Sequence, residues 1–386
     1  MNKFLKEFKD RGFFYQCTDE SELSDLLDHN SIKAYIGFDC TAESLHVGSL
    51  LQIMCLRLLQ NHGHQPIVLL GGGTTRIGDP SGKDKTRKIL TEKEIEKNSK
   101  NIEKILKKFL TNKDKKTKPI FVNNYKWLKG LNYISFLRDI GKHFTINKML
   151  TFDSVKTRLE REQSLSYMEF NYMILQAYDF LELNKKEKCS LQIGGSDQWG
   201  NITAGIDMVR RRSSGTAYGL TVPLITRSDG AKFGKTAEGT VWLDPKRTLP
   251  YELYQYLINV DDRDVEKLLL QLTLVSVSDI SELLQDHRKS PEDRTAQQRL
   301  ATEVCRLVHG EEETEQAQLA TQGLFGNETT PENSFEALRG IVPKTEVRSS
   351  ELEKEGESLI DVLVLTGLCS SRGDARRTIS AGGISV

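Results

Sequence analysis

The polar run SLHVG, from Ser44 to Gly48, turns directly into an apolar pattern with helical spacing that extends to His62. A helix N-terminus presents unpaired N–H groups and a partial positive charge, so His46 and Gly48 could bring an imidazole and a closely approaching backbone against a phosphate. A histidine in this place is also common as a cap or a packing residue. The stretch alone leaves both interpretations open.

A glycine-rich stretch, GGGTTRIGDPSGKDKTR, follows a predicted strand directly and covers Gly71 to Arg87. It is not a Walker P-loop, because Lys83 is followed by Asp84, and it lacks the G-x-G-x-x-G of dinucleotide folds. Asp79 in this stretch could bind a cationic ligand group, and Lys83 and Arg87 could bind a polyphosphate. The alternative is a flexible turn between a strand and a helix.

The segment SYMEFNYMILQAYDF predicts a helix on which Tyr172, Gln176 and Asp179 share one face, at i, i+4 and i+7. Their neighbours are apolar. Because buried polar groups need partners, this face must either be a solvated stripe or line a polar pocket.

Two further stretches could bind a nucleotide. In QIGGSDQWGN a predicted strand ends at Gly194, and the fork of Asp197 and Gln198 beyond it could bind ribose hydroxyls. In SDGAKFGKTAEGT the loop carries Lys232 and Lys235, two flexible cations that could close over a transferring phosphate. Lysines are also commonplace in surface loops, so this signal is weak by itself.

Strand-like segments alternate with helical ones over residues 1–245, which favours an α/β fold with a doubly wound parallel sheet. The strand candidates are KAYIGFD, PIVLL, PIFVNN, CSLQIGG and GLTVPL. Ligands of such sheets bind beyond the carboxyl ends of the strands, where glycines 37, 71 to 73 and 194 to 195 fall. The predicted sheet therefore gathers the polar groups above at one edge.

The remainder of the chain has a different organisation. Successive amphipathic patterns predict an α-helical domain over residues 246–330, and the polar residues 331–357 predict a linker. Residues 358–386 predict two short helices joined at Cys369 to Arg372, the second of them basic.

Composition limits the possible classes. Lys and Arg number 54 and so do Asp and Glu, so the net charge identifies no partner. The basic stretch from Lys83 to Lys118 is either a solvated helix face or a surface attracting phosphate or nucleic acid.

Six cysteines without a C-x-x-C pair argue against structural zinc and a disulfide framework. A charged N-terminus and the lack of a long apolar run predict a cytoplasmic protein with no membrane contact.

In combination, these stretches resemble the tyrosyl-tRNA synthetases of the bacterial and organellar type, which are class I aminoacyl-tRNA synthetases. CTAESLHVGS, from Cys40 to Ser49, is similar to the family's first signature, and KFGKT, from Lys232 to Thr236, to its second. YIGFD, GDPSGK, YxxxQxxD and QIGGSDQWGN accompany them in the family's order. The resemblance begins at about Phe13 and extends to the last residue.

The resemblance implies an architecture and a set of roles. The architecture is a Rossmann-like catalytic domain at 1–245 with an insertion and dimer region at about 120–150, an anticodon-side helical domain at 246–330, and a partial S4-like RNA-binding domain at 358–386. Contacts to the polyphosphate and transition state are implied for His46, Lys83, Arg87, Lys232, Lys235 and Thr236. Contacts to ATP are implied for Asp39, Cys40, Thr41, Gly48, Ser49, Gly194, Asp197, Gln198, Lys232 and Lys235. Contacts to tyrosine are implied for Tyr35 and Asp179 at the phenol, for Asp79, Tyr172 and Gln176 at the ammonium group, and for Gly37, Thr74 and Gln192 in the pocket wall.

The implied reaction is the activation of L-tyrosine by ATP to tyrosyl-adenylate and pyrophosphate, followed by transfer to the 3′-terminal adenosine of tRNA(Tyr). Mg²⁺ would accompany the pyrophosphate oxygens, with no metal site built by the protein. A homodimer is implied, formed partly through the region around Leu131 to Leu150. Arg210 to Arg212 would contact tRNA or complement the dipole of their own helix.

Three departures from the family pattern are visible. Ser49 stands where a second histidine is usual, and Ile36 and Gln52 occupy places where small polar residues near the ribose are common. These departures weaken the expected contacts to the ATP ribose. The S4-like segment breaks off before its expected final strands, so we expect reduced tRNA affinity.

Rival interpretations are a small-molecule adenylyltransferase with the same nucleotide site, the tryptophanyl relative, an RNA-binding paralogue without catalysis, and a nicotinamide oxidoreductase. Helical and S4-like additions argue against the first, and Tyr35 with Asp179 suits a phenol better than an indole. The retained His46, Lys232 and Lys235 argue against loss of catalysis. The missing dinucleotide fingerprint argues against the last.

Overall fold

A computed structural model describes residues 2–81, 89–111, 114–213, 215–236, 239–325 and 359–384. Strands in this part of the chain are β1 Gln16–Cys17, β2 Lys33–Phe38, β3 Gln65–Leu70, β4 Ile120–Asn123, β5 Cys189–Gly195, β6 Tyr218–Val222, β7 Lys235–Thr236 and β8 Gly239–Thr240. Helices of the first half are α1 Lys3–Asp10, α2 Glu20–His29, α3 Leu50–Asn61, α4 Glu92–Phe109, α5 Tyr125–Leu128, α6 Tyr133–Asp139, α7 Ile146–Met149, α8 Asp153–Glu160, α9 Tyr167–Phe170, α10 Tyr172–Glu187 and α11 Trp199–Arg212. Those that follow are α12 Pro250–Ile258, α13 Asp262–Leu272, α14 Val277–His287, α15 Thr295–His309, α16 Glu311–Phe325, α17 Leu359–Leu365 and α18 Arg372–Ser380.

Six strands form one sheet in the order β1-β6-β5-β2-β3-β4. The five strands predicted from the sequence, β2 to β6, run parallel, and the short β1, which was not predicted, pairs antiparallel with β6. The order reverses on either side of β2, with β3 following on one side and β5 on the other. Such a switch point leaves a crevice at the carboxyl ends of the strands.

Alternation along β2 places its side chains in two separate apolar cores, as expected for a strand covered on both faces. Ala34, Ile36 and Phe38 pack in the larger core together with α3. Tyr35 points to the other face, where its ring meets that of Phe180 on α10 at 5.2 Å between centroids. The doubly wound arrangement predicted from the sequence is therefore confirmed.

The helices that follow residue 245 share the larger core with the sheet. Leu253 of α12 and Leu268 of α13 belong to it. Arg11, which is 5% exposed, donates hydrogen bonds to the carbonyl oxygens of Thr273 and Val275 beyond α13. Contacts divide the chain into the compact units Met1–Gln318 and Leu319–Val386, so sheet and helices α12 to α15 fall in one unit. The predicted boundary at residue 245 is not tested by this division and stays a prediction.

The second unit is described at α17 and α18, which bury Leu363, Cys369 and Ala375 between them. The two helices predicted there are present, and the turn between them contains Cys369. The predicted linker, residues 331–357, lies outside the described residues. Within the described part of the chain no helix is long and apolar enough to cross a membrane.

Candidate active site

A cavity of about 480 Å³ opens at the carboxyl ends of β2, β3, β5 and β6. It collects side chains and backbone from stretches that are far apart in the sequence. Among the residues assigned from the sequence, those lining it are Tyr35, Gly37, Asp39, Thr41, His46, Gly48, Ser49, Thr74, Asp79, Tyr172, Gln176, Asp179, Gln192, Gly194, Asp197, Gln198 and Lys232.

The deepest polar groups of the cavity come from β2, β5 and α10. Tyr35, Asp179 and Gln192 are each exposed by 3% or less. Two of their polar atoms, the Tyr35 hydroxyl and the Gln192 Oε1, are buried without a hydrogen-bond partner among the described residues. Unsatisfied buried polar atoms are uncommon in folded proteins, and here both belong to residues that line a cavity. This end of the cavity is therefore prepared for a polar ligand group.

Asp179 is held by two donors that the sequence did not reveal. The Asn124 side chain donates to Oδ2 at 2.9 Å, and the Trp127 indole N–H donates to Oδ1 at 2.7 Å. Burial nevertheless dominates and, with the nearby Asp39 and Glu182, raises the pKa of Asp179 to about 7. Both donors lie just beyond β4. The polar end of PIFVNN was the only sequence signal for Asn124, and no sequence signal pointed to Trp127.

Asp39, at the end of β2, is the centre of a second polar group. Thr74 donates to it at 3.3 Å, and the Tyr172 hydroxyl approaches its carboxylate at 3.4 Å. A Cβ on Gly71 would lie 2.6 Å from the Asp39 carboxylate, so only glycine leaves room for this group. Asn124 also donates to Thr74 at 3.0 Å, which connects the group to Asp179.

Amide side chains connect the remaining carboxylates and the predicted helix face. Gln198 donates to Asp79 at 2.9 Å, and Asn201 donates to the oxygens of both Gln198 and Gln176. Asn201 was not singled out in the sequence. Burial raises the pKa of Asp197, with a further contribution from the charge of Asp79. The cavity thus contains several carboxylates with few fixed cations, which suits a cationic ligand group.

The first-signature turn and the second-signature loop lie against each other. Val47 N–H donates to the Val241 carbonyl, and His46 forms an isolated antiparallel bridge with Trp242. Gly48 is close-packed, since a Cβ there would lie 3.0 Å from the His46 ring and 3.2 Å from the Phe233 carbonyl oxygen. Gly234 has φ +83°, and a Cβ on it would lie 2.7 Å from Val47. The close approach and the positive φ together require glycine at Gly234, whereas at Gly48 a side chain would fit only if its neighbours shifted by a few tenths of an ångström.

His46 occupies the N-cap position of a short 3₁₀ turn, Val47–Ser49, that precedes α3. Its backbone is extended, with φ −91° and ψ 163°, as is usual at this position, and its carbonyl accepts from the Ser49 N–H. Its side chain makes no cap hydrogen bond, and the residue lines the cavity. The backbone of His46 thus has the geometry of a cap, while the imidazole does not act as one.

Five assigned residues do not line the described cavity, namely Cys40, Lys83, Arg87, Lys235 and Thr236. Lys83 and Arg87 lie outside the described residues. Lys235 and Thr236 are exposed in β7, next to the cavity-lining Lys232 but not themselves in the wall. Their predicted roles require the loop to close over a ligand, and they stay predictions.

Cys40 also differs from the expectation of a nucleotide contact. It is fully buried, and its backbone is used within the protein: its N–H donates to Thr75, and its carbonyl accepts from Asn98. Its neighbours Asp39 and Thr41 line the cavity instead. The role assigned to Cys40 finds no support in this geometry. Ser49, Ile36 and Gln52, the three residues that depart from the family pattern near the nucleotide, all line the cavity.

A parallel sheet with a ligand cavity at its switch point, flanked by a His-x-Gly turn and a Lys-x-x-Lys loop in contact, defines a class I aminoacyl-tRNA synthetase. A family model described as tRNA synthetases class I (W and Y) matches residues 27–326. The chain belongs to this family, in its bacterial-type tyrosyl branch.

Individual relatives support the branch. A protein of Pelagibacter ubique named Tyrosine--tRNA ligase is 62% identical over 386 residues, covering 100% of this chain and 91% of the relative. One of the same name from Wolbachia pipientis wMel is 49% identical, covering 100% and 90%. A crystal structure of a C-terminally truncated Aspergillus nidulans mitochondrial tyrosyl-tRNA synthetase superposes with a TM-score of 0.76 at 30% identity, covering 83% of this chain and 94% of that one.

Proposed function

We propose that this tyrosine–tRNA ligase binds the phenol of L-tyrosine at Tyr35, Asp179 and Gln192. The observation that carries the proposal is the pair of buried atoms without partners in the cavity, the Tyr35 hydroxyl and the Gln192 Oε1. A phenol hydroxyl can both donate and accept, so it would satisfy groups that phenylalanine leaves unpaired. The preference of tyrosyl-tRNA synthetases for tyrosine over phenylalanine is itself the standard example of selectivity gained in this way.

We assign the ammonium group of tyrosine to Asp79, Tyr172 and Gln176. Asp79 is oriented by Gln198 at 2.9 Å and by the backbone N–H of Ser81 at 2.9 Å. The Gln176 oxygen is oriented by Asn201 at 3.2 Å. These contacts restrain the acceptor oxygens of Asp79 and Gln176, and an ammonium group needs such acceptors. Thr74 and Gly37 form the neighbouring wall.

ATP is assigned to the rim where the two signatures meet. His46, Gly48 and Ser49 lie on one side, and Gly194, Asp197 and Gln198 on the other, all lining the same cavity. The lysines Lys232 and Lys235 flank the Phe233–Gly234 turn, with Thr236 following, and Lys83 and Arg87 are proposed to join them on the polyphosphate. We propose no protein ligand for the Mg²⁺ that accompanies ATP. Among the described residues no group of three or more His, Cys, Asp or Glu side chains is arranged to hold a metal ion.

In the proposed first step, the tyrosine carboxylate attacks the α-phosphate of ATP in line and pyrophosphate leaves. The 3′-terminal adenosine of tRNA(Tyr) then attacks the carbonyl of the adenylate and releases AMP. No side chain forms a covalent bond to substrate. The protein contributes orientation, through the fixed acceptors above, and cationic groups placed where charge develops.

The tRNA and a second subunit are assigned to surfaces outside the cavity. The last three residues of α11, Arg210, Arg211 and Arg212, are solvent-exposed. We propose that they, the helical region 246–330 and the S4-like segment 358–386 bind tRNA. Exposed apolar side chains at Tyr133, Ile134 and Ile146 support a homodimer through the insertion at 120–150.

The decisive experiment is tyrosine-dependent ATP–pyrophosphate exchange on Lys235→Ala. Because the lysine is proposed to act on the transition state, we expect kcat to fall by about two orders of magnitude with tyrosine KM within about twofold of wild type. Lys246→Ala, another exposed loop lysine, is the matched control and should retain wild-type rates. Equal losses in kcat and in tyrosine affinity would contradict the role.

Phenylalanine and tryptophan serve as the substrate controls in the same assay. Exchange that depends on tyrosine and is weak with both analogues is expected from the polar end of the cavity. Silence with tyrosine in the wild-type protein would overturn the assignment of the cavity.

A further inference from the structure

A tyrosine of the helical region touches the turn between the two signature lysines. The Tyr256 hydroxyl of α12 accepts a hydrogen bond from the Gly234 N–H at 2.8 Å. Its ring packs on that of Phe233 with 5.3 Å between centroids. Phe233 and Gly234 are the two residues that separate Lys232 from Lys235. Tyr256 therefore holds both middle residues of the Lys-x-x-Lys sequence.

The same turn is fixed on its opposite side by the first signature. The Gly234 carbonyl accepts from the Val241 N–H at 3.0 Å, and Val241 in turn accepts from the Val47 N–H at 2.9 Å. The position of Gly234 against Val47 is so close that a Cβ would collide at 2.7 Å. Gly234 is thus enclosed between Val47, two residues before Ser49, and the Tyr256 hydroxyl.

Helix α13 fixes the beginning of the same loop. Asp264, which is 7% exposed, accepts from both the N–H and the hydroxyl of Ser228, at 3.0 and 3.1 Å. Lys267 donates to the Thr226 carbonyl at 3.2 Å, and Thr226 forms a backbone bridge with Lys232. Helix α13 thus contacts the loop before Lys232, and helix α12 contacts it after Lys232.

We propose that Tyr256 is a positioning residue for adenylate formation: its hydroxyl fixes the Phe233–Gly234 turn against the first signature, and thereby sets where Lys232 and Lys235 act. The proposal rests on the assignment of those lysines to the polyphosphate. Tyr256 does not line the cavity and touches no reacting atom. Its effect passes through backbone geometry, to which a transition-state contact is far more sensitive than the binding of tyrosine at the other end of the cavity.

The test removes one oxygen. Tyr256→Phe keeps the ring contact with Phe233 and deletes the acceptor for the Gly234 N–H. We expect kcat for tyrosine-dependent ATP–pyrophosphate exchange to fall about tenfold or more, with tyrosine KM unchanged. A rise in tyrosine KM with unchanged kcat would overturn the proposal, because it would place the effect on binding rather than on the lysines.

Tyr254→Phe is the matched control. Tyr254 lies on the same helix, is 4% exposed, and has hydrogen bonds to the side chains of Thr302 and Gln318 rather than to the loop. Removal of the Tyr254 hydroxyl should lower the thermal stability about as much as removal of the Tyr256 hydroxyl does, and it should leave kcat unchanged. Thermal unfolding of both variants measures the structural effect directly. If the two variants lower kcat equally, the effect is general destabilisation and the positioning role is wrong.

A double-mutant cycle with Lys235→Ala separates this proposal from the one on which it rests. If Tyr256 acts through the lysine, Tyr256→Phe should lose most of its effect in the Lys235→Ala background. An undiminished effect there contradicts positioning of Lys235, and an effect that is undiminished in the Lys232→Ala background as well contradicts positioning altogether. If Lys235→Ala lowers kcat while Tyr256→Phe matches wild type, the role of Lys235 stands and the positioning role fails. If Lys235→Ala itself retains wild-type kcat, the proposed role of Lys235 and the positioning role of Tyr256 are both wrong.

Discussion

At the scale of single residues, the cavity contains buried polar atoms that have no hydrogen-bond partner among the described residues. Tyr35 places a hydroxyl in a buried position without a partner among the described residues, and burial raises its pKa well above the ordinary value. The phenol is therefore neutral at physiological pH and remains available as a donor. Asp179, whose pKa is raised to about 7, lies on α10 with Asn124 and Trp127 already donating to it. The proposed selectivity would arise because the Tyr35 hydroxyl and the Gln192 Oε1, which have no partner among the described residues, would gain one only from a hydroxyl-bearing ligand.

Tyr35→Phe should separate stability from selectivity. Since the hydroxyl has no partner in the free protein among the described residues, its removal should leave thermal stability equal to wild type or slightly higher. Affinity for tyrosine should fall about tenfold, the worth of one neutral hydrogen bond, while phenylalanine exchange stays the same. Equilibrium binding and exchange assays with both amino acids measure this. A variant that loses stability but keeps its tyrosine preference would contradict the assignment.

At the scale of elements, the site depends on how a turn and a hairpin approach each other. β7 pairs with β8, and the chain then runs back so that Val241 to Leu243 lies beside Leu45 to Val47. Glycines allow the approach at Gly48 and Gly234. The helices α12 and α13 contact residues that precede the hairpin, α12 at Phe233 and Gly234 and α13 at Thr226 and Ser228. A displacement of the loop would move the lysines without changing the end of the cavity that we assign to tyrosine.

Gly234→Ala tests this approach, and Gly230→Ala controls for backbone strain. Both glycines have φ +83°, but a Cβ on Gly230 meets nothing within 4 Å, whereas one on Gly234 meets Val47 at 2.7 Å. The two variants share a left-handed backbone penalty of about 1 kcal/mol. We expect Gly234→Ala to lower the rate of adenylate formation by a further factor of about ten, measured by single-turnover kinetics. Equal rates in both variants would show that the contact with Val47 is unimportant.

At the scale of the whole molecule, the sheet and helices α12 to α15 belong to one compact unit. The larger core continues from α3 and β2 into α12 and α13. Apolar side chains that remain outside the cores concentrate in the insertion and after it. Tyr133, Ile134 and Tyr167 are 59%, 69% and 67% exposed. A monomer rarely leaves several large side chains exposed together, which favours a second subunit at this face.

Ile134→Asp should therefore shift the protein from dimer to monomer. A charge at a closed apolar interface costs several kcal/mol, enough to raise the dimer Kd by about two orders of magnitude or more. Sedimentation equilibrium of the full chain over a concentration series measures the change. Leu368→Asp is the control, because Leu368 is 74% exposed and belongs to the second compact unit rather than to the insertion. A wild-type monomer, or equal effects of the two variants, would contradict the homodimer.

The sequence alone determined the main strands and helices and many of the polar residues of the cavity wall. Strands β2 to β6 are largely apolar runs, four of which end in or are followed by glycine or a polar residue, and α10 has the spacing that puts Tyr172, Gln176 and Asp179 on one face. Local pattern is sufficient for such features because burial and helical periodicity are recorded in neighbouring residues. The small strands β1, β7 and β8 escaped prediction, since two-residue strands exist only through their partners.

The tertiary structure decided everything that depends on contact between distant segments. Asn124 and Trp127 come from the turn after β4, yet they orient a carboxylate on α10. Gly48 and Gly234 are ordinary glycines in the sequence until the first signature meets the second, and Tyr256 is one tyrosine among several on an amphipathic helix until its hydroxyl reaches the Gly234 N–H. The residue types supply the chemistry, but hydrogen bonds and close packing act through space, so only the folded chain specifies which groups they join.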